Sequence, residues 1–357
     1  MSMLSQIFPP SPTFTEEHVS NLQGKVNHPF LAPVPCPSPA RPRLTSPQVC
    51  IVTGAAVGVG YQLAKMLYAQ HATVYIATRS AAKIDAAISS LRASAPSSRG
   101  VLRAMVLDLS DLATIGPAAR AFLDQESRLD VLVHNAGIMT PPAGSKSKQG
   151  HDLEMATNCL GPFLLSRFLQ PVQQRTASLP DASPAAVRTV WVASMLDGFS
   201  VRGGIVFGGG DGKTDSSGAP VVQSNAMNNY MQTKAGAVFL AHESAQRFPD
   251  SGVVNMSVHP GLMRTELQRH QNRIVKHAMG VVFKPAKFGA YSELFAGFSP
   301  SITAAHNGRF AIPWGRLGTV PRHIEEALKG RERGGTGASR RFWEWCEQET
   351  APYFVQA

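Results

Sequence analysis

The run Tyr230-Met231-Gln232-Thr233-Lys234 sets a phenol and an ammonium one turn apart on the same helix face. A phenol in that position suits proton donation to an oxygen that is gaining charge, because the nearby cation favours phenolate and draws the phenol down from its reference pKa of about 10. Hydride transfer to a carbonyl needs such a donor, together with a polarising hydrogen bond and a route that reloads the donor. Tyr and Lys also meet at this spacing on helices with no chemistry. Their meaning depends on what stands elsewhere in the chain.

A second constellation is Thr53-Gly54-Ala55-Ala56-Val57-Gly58-Val59-Gly60, directly after the apolar run Val49–Val52. Glycines at these spacings let the chain turn tightly, let backbone approach a pyrophosphate, and let the next helix pack closely with its N-terminus towards the phosphates. The string alone is only a turn, but its place between a strand and a helix makes it a dinucleotide site. The next apolar run, Thr73–Ala77, ends in Thr78-Arg79-Ser80. An enzyme that uses NAD commonly places a carboxylate there for the ribose 2′-hydroxyl. Arg79 instead offers a planar guanidinium to a 2′-phosphate, so NADP(H) is the expected cofactor.

The elements that must position these groups follow an alternating pattern of short β-branched runs and longer amphipathic stretches. Strands are expected at Val49–Thr53, Thr73–Ala77, Leu102–Leu107, Val131–Val133, Thr189–Ala193, Val253–Val258 and Arg309–Ile312. The helices expected between them are Val59–Gln70, Ala81–Leu91, Leu112–Gln125, His151–Gln170, Asn228–Arg247 and Lys287–Phe298. The fold class is therefore α/β, a Rossmann-type doubly wound parallel sheet with its ligand crevice at the carboxyl ends of the strands. Residues 1–26 read as a loosely ordered N-terminal arm and 27–48 as a Pro-rich insertion or linker. One domain spans 49–320, and 321–357 form a C-terminal helical extension.

The order of these motifs resembles the short-chain dehydrogenase/reductase family over nearly the whole chain after Val49, especially fungal-type members related to retinol-dehydrogenase-like and WW-domain-oxidoreductase-like reductases. The resemblance implies that Thr53, Gly54, Gly58, Val59 and Gly60 form the cofactor turn and that Asp108 and Leu109 contact adenine. Asn135, Ala136 and Gly137 match the family's N-N-A-G motif, with His134 replacing its first Asn. Ser194 matches the catalytic Ser that hydrogen-bonds the substrate oxygen, and Asn158 the helix Asn that holds a water in the proton relay behind the Lys. Tyr230 and Lys234 match the acid and its partner, with Lys234 reaching the nicotinamide ribose. Pro260, Gly261 and Thr265 match the segment that faces the nicotinamide amide. His134 and His259 are expected to pack rather than react. Gly-rich residues between Ser194 and Tyr230, with the segment after Thr265, are expected to form the substrate pocket and a lid.

The sequence departs from the family pattern at one place. Gly24-Lys25-Val26 would flow straight into Cys50-Ile51-Val52-Thr53-Gly54 if Asn27 to Val49 were deleted. The segment reads as a retained intron translated in frame or as a surface insertion, with Val49 taking the place of Val26 in the strand. At the other end, Ile312–Arg316 and Phe342–Cys346 resemble the C-terminal extension of fungal-type members, whose Trp residues would pack it.

Composition narrows the remaining classes. The formal charge is +10, yet basic residues are scattered, and Arg331, Arg333, Arg340 and Arg341 are mixed with Glu and Gly, which argues against a nucleic-acid partner. No stretch approaches the roughly 18 apolar residues of a membrane span, and no secretory signal is visible, so a cytoplasmic protein is expected. Cys36, Cys50, Cys159 and Cys346 form no C-x-x-C pair, so no metal is expected. The expected function is an NADP(H)-dependent oxidoreductase interconverting a carbonyl and an alcohol on a small or medium apolar substrate, with secondary metabolism as the setting by analogy. The alternative is a non-catalytic NADP(H)-binding regulatory protein, which would need the glycines but not the proton machinery. A homo-oligomer and a monomer both stay open, since the family offers both.

Overall fold

Eight strands build one sheet in the order β10-β9-β6-β5-β4-β1-β2-β3, seen in a computed structural model that describes residues 4–23, 47–196, 199–208, 218–264 and 283–354. In chain order these are β1 (Val49–Thr53), β2 (Thr73–Thr78), β3 (Val101–Val106), β4 (Val131–His134), β5 (Arg188–Val192), β6 (Val254–Val258), β9 (Phe310–Ile312) and β10 (Arg316–Gly318). A separate parallel pair is formed by β7 (Met263–Arg264) and β8 (Lys284–Pro285). The four central strands β1, β4, β5 and β6 are buried along their whole length, as continuous apolar runs in a parallel sheet require. β1 pairs in parallel with both β2 and β4. The strand order thus reverses between β1 and β4, and the crevice opens at their carboxyl ends.

The helices are α1 (Leu4–Ile7), α2 (Gly58–Ala69), α3 (Ala81–Ser94), α4 (Leu112–Leu123), α5 (Leu153–Met155), α6 (Gly161–Ala177), α7 (Ala226–Arg247), α8 (Ala286–Phe298), α9 (Arg322–Leu328) and α10 (Ala338–Thr350). One core layer joins the sheet to α4, α6, α7 and α10 through Phe163, Trp191, Phe239 and Phe342. The other joins it to α2, α3 and α8 through Leu63, Leu67, Ile84 and Leu294. Trp343 of α10 packs edge-on against Phe163, so the C-terminal Trp does serve packing. No described helix is long and apolar enough to cross a membrane.

Several expectations need correction. The arm is not loose where it is described: Phe14, Val19 and Leu22 are buried, Phe14 meets Phe295 of α8, and Glu16 pairs with Lys287 at 2.7 Å. Its prolines suggested disorder, but three apolar side chains join the core layer that holds α2, α3 and α8. The helix expected to stop at Gln170 runs on to Ala177, because Pro171 removes only one donor inside a long buried helix. The edge strand β10, antiparallel to β9, was not anticipated. The Pro-rich stretch lies mostly outside the described residues, but Leu22 before it and Gln48 at its end meet. Gln48 N–H donates to the Leu22 carbonyl at 2.9 Å.

Candidate active site

A cavity of about 1010 Å³ lies along the carboxyl ends of the strands, bordered by the glycine turn at its middle, by Arg79 and Lys83 beyond β2, and by Ser194, Tyr230 and Lys234 beyond β5. It sits at the top of the roughly 300–1,000 Å³ range of ligand pockets.

The turn after β1 is shaped by what it must pack against. Gly54 has φ +69°, a left-handed backbone that a side chain disfavours. A Cβ on Gly60 would stand 2.4 Å from Asn135 Nδ2, so the first turn of α2 approaches the end of β4 as only glycine permits. Asn135 uses this closeness: its Nδ2 donates to the Thr53 carbonyl at 2.7 Å. The Thr53 hydroxyl in turn donates to the Val133 carbonyl at 3.2 Å and accepts from Ala136 N–H at 3.0 Å. Two strands on opposite sides of the switch point are thereby locked together, and the N-terminus of α2 faces the cavity with its unpaired N–H groups.

Beyond β2, Arg79 is joined by Lys83 from the first turn of α3, whose Ser80 cap accepts from Lys83 N–H. Lys83 escaped sequence reading because a lysine near a helix start resembles any solvated charge. Its spacing of four residues from Arg79 was the available signal. Asp108 and Leu109 border the cavity after β3, and the Asp108 carboxylate accepts from both the backbone and the hydroxyl of Ser110, at 2.9 and 2.7 Å.

At the other end, Lys234 Nζ donates to the carbonyl of Val192, the last residue of β5, at 2.9 Å, and stands 5.6 Å from the Tyr230 ring centroid. Burial draws the Lys234 ammonium down to about 8, while Cys159, Glu293 and Glu154 hold it up. Tyr230 behaves contrary to expectation. Its pKa is raised, first because burial penalises the phenolate and second because Glu154 carries like charge. The ammonium does not win at this position, since the phenol has lost its water.

Asn158 stands in a π-turn, Ala156–Leu160, between α5 and α6. Such turns free side chains for local bonding. Its Oδ1 accepts from Ile138 N–H at 2.9 Å, and its Nδ2 donates to the Ile138 carbonyl and to the Thr233 hydroxyl, which donates to the Tyr230 carbonyl. The side chain thus ties the Gly137 turn to the helix that carries Tyr230 and Lys234. Glu154 makes a parallel tie, accepting from Thr140 N–H and from Asn229 Nδ2.

Pro260 and Gly261 border the cavity after β6, while Thr265 lies outside the described residues. His259 accepts from Gly261 N–H, and His134 contacts Ser166 Oγ at 2.7 Å. Burial lowers both imidazoles to about 3, so they are neutral packing groups. Of the glycine-rich loop, Met195 and Phe199 reach the cavity, but Gly204 packs on Phe239 and Ile324 instead. Gly209 and Gly210 lie outside the described residues.

The comparisons bear on the family and the fold. The short chain dehydrogenase family pattern matches residues 48–178. A short-chain dehydrogenase/reductase of Phomopsis amygdali is 38% identical over 98% of this chain and 96% of its own. Another, bet4 of Neocamarosporium betae, is 34% identical over 99% and 94%. A protein of Agrobacterium tumefaciens solved with bound NADP shares the fold, with a TM-score of 0.54 and 19% identity over 75% of this chain and 95% of that one. A Rossmann-type nucleotide-binding fold and relatives of this kind define an oxidoreductase. The chain belongs to the short-chain dehydrogenase/reductase family.

Proposed function

We propose that this chain is an NADP(H)-dependent reductase of the cytoplasm that interconverts a carbonyl and an alcohol on a small or medium apolar substrate. One observation carries the reading: a single cavity runs from two cations, Arg79 and Lys83, past the glycine turn to Ser194, Tyr230 and Lys234. The residues fit the cofactor. Arg79 and Lys83 would hold the 2′-phosphate, the α2 N-terminus the pyrophosphate, and Lys234 the nicotinamide ribose. When bound, the cofactor supplies the hydride.

The chain's own groups do the rest. Ser194 polarises the carbonyl oxygen, and Tyr230 gives it a proton. Because burial penalises the phenolate, the proton stays on Tyr230 until the substrate oxygen gains charge, which couples transfer to the transition state. Asn158 keeps the Gly137 turn and α7 in register, so the family's helix Asn acts here through backbone ties. Met139, Met195, Phe199, Met227 and Met231 line the cavity and favour an apolar substrate. The fungal relatives make secondary metabolism the natural setting, by analogy alone.

The test is a panel of apolar ketones reduced with NADPH by the wild type and by Tyr230→Phe. Loss of about 10²–10⁴ in kcat with NADPH affinity retained is expected. Equal rates in both proteins would remove Tyr230 from the reaction and with it this reading.

A further inference from the structure

Glu293 is an anomaly within α8. Every residue from Gly289 to Gly297 is buried, and Glu293 is 0% exposed. Neither carboxyl oxygen has a hydrogen-bond partner among the described residues. A carboxyl group left unpaired in a core is costly, so its place in a buried helix calls for a reason other than packing. Yet it borders the same cavity as Tyr230, Lys234 and Pro260.

The neighbourhood is specific. α8 packs on β4, β5 and β6 from one side of the sheet, while α7 lies on the other. Lys234 reaches over the carboxyl edge of β5 to Val192, and Glu293 comes to the same edge from the opposite face. Lys234 is the charged group whose field reaches Glu293 among the described residues, whereas Lys234 also feels Cys159 and Glu154. Cys159 donates to the Thr233 carbonyl, and Glu154 is held by Thr140 and Asn229. Of these three acidic groups, Glu293 is the one with both oxygens unpartnered among the described residues.

We propose that Glu293 is a positioning residue of the reaction, whose carboxyl group holds a proton on the cavity that it shares with Lys234 and returns it, through water in that cavity, to the lysine amine after turnover. The inference rests on the reductase reading. Reducing one carbonyl consumes one proton at oxygen. Tyr230 gives it, the Lys234 ammonium replaces it on the phenolate, and the Glu293 carboxyl, which does not touch Lys234, replaces it on the lysine amine through water in the shared cavity. Glu293 ends as a carboxylate facing the cavity that holds the restored ammonium, and solvent returns its proton through that cavity. No electrons move in these steps. Burial supports the exchange by bringing the two groups to the same point, the carboxyl up to about 8 and the ammonium down to about 8, where a proton passes with little driving force either way.

The test compares wild type, E293Q and E293D by fluorescence titration with NADPH from about pH 6 to 10. Below pH 7 Gln mimics the protonated acid, so E293Q is expected to bind as the wild type does. Above it the wild type gains a carboxylate that keeps Lys234 charged. Loss of binding should therefore begin about one pH unit lower in E293Q, with E293D between the two. Superimposable profiles in the wild type and E293Q would overturn the inference. A second readout needs no cofactor: infrared difference spectra should show a carboxylic acid band that titrates near pH 8 in the wild type and is missing from E293Q. Absence of that band from the wild type overturns the inference even if NADPH binds, whereas its presence without NADPH binding would instead contradict the cofactor reading.

Discussion

The side-chain amide of Asn135 donates to the carbonyl of Thr53 across 2.7 Å, joining the ends of β4 and β1 where the strand order reverses. The glycine turn after β1 is therefore held by a side chain from the end of β4. Asn135→Ala leaves the Thr53 carbonyl short of a donor and opens space against Gly60. NADPH affinity is expected to fall by about 10-fold, corresponding to one lost bond of roughly 1–1.5 kcal/mol, with the fold intact by circular dichroism. Unchanged affinity would mean that the turn keeps its shape without this tie.

Cofactor choice is expected to reside in Arg79 and Lys83 together. Arg79→Ala should weaken NADPH by about 10- to 100-fold and NADH little, because each charge-assisted bond to a phosphate contributes about 1.5–3 kcal/mol. Lys83→Ala should produce a smaller loss in the same direction. Paired titrations with the two cofactors measure both. An equal loss for NADPH and NADH in either variant would place that cation elsewhere on the nucleotide.

Deletion of residues 27–49 is expected to be tolerated. Leu22 and Gln48 are hydrogen-bonded to each other, so the chain on either side of the segment is already close together. Lys25 and Val26 would then replace Gln48 and Val49 at the start of β1. The shortened protein should melt within a few degrees of the full chain and bind NADPH equally well, since closing a loop of this length costs little and shortening it costs nothing. A shortened protein that unfolds would show that the segment contributes to the fold.

Stability should carry the mark of Glu293. Its carboxyl is raised from the ordinary 4.5 to about 8, so the folded protein binds a proton that the unfolded chain releases between those values. That contribution is fully present below about pH 4.5 and is lost as pH rises through 8. Lys234, lowered to about 8, works in the opposite sense, its burial penalty easing above that pH. E293Q should melt as the wild type does near pH 5 and about 2–6 °C higher at pH 8. A constant difference across the range would leave no proton linkage at this residue.

The strands, the glycine turn and the Tyr-Lys pair were legible because each has a local pattern: apolar runs, fixed glycine spacing, a four-residue interval. Arg79 could be read because its place at the end of β2 is defined by the strand before it. What escaped reading depends on distant partners. Glu293 has no local pattern of its own and gains meaning only because α8 is buried on every side through its middle turns. Tyr230 was expected to be acidified by Lys234, but its burial is set by elements far away in the chain. Phe14, Val19 and Leu22 have no periodicity of their own and gain meaning only against Phe295 and its neighbours.

The central claim is that the cavity holds NADPH, and the most direct measurement is a fluorescence titration of the full-length chain with NADPH and NADH side by side. NADPH binding at least about tenfold tighter than NADH is the predicted result, from the two cations beyond β2. Equal binding of the two would contradict the role of Arg79 and Lys83, and binding of neither would contradict the account as a whole.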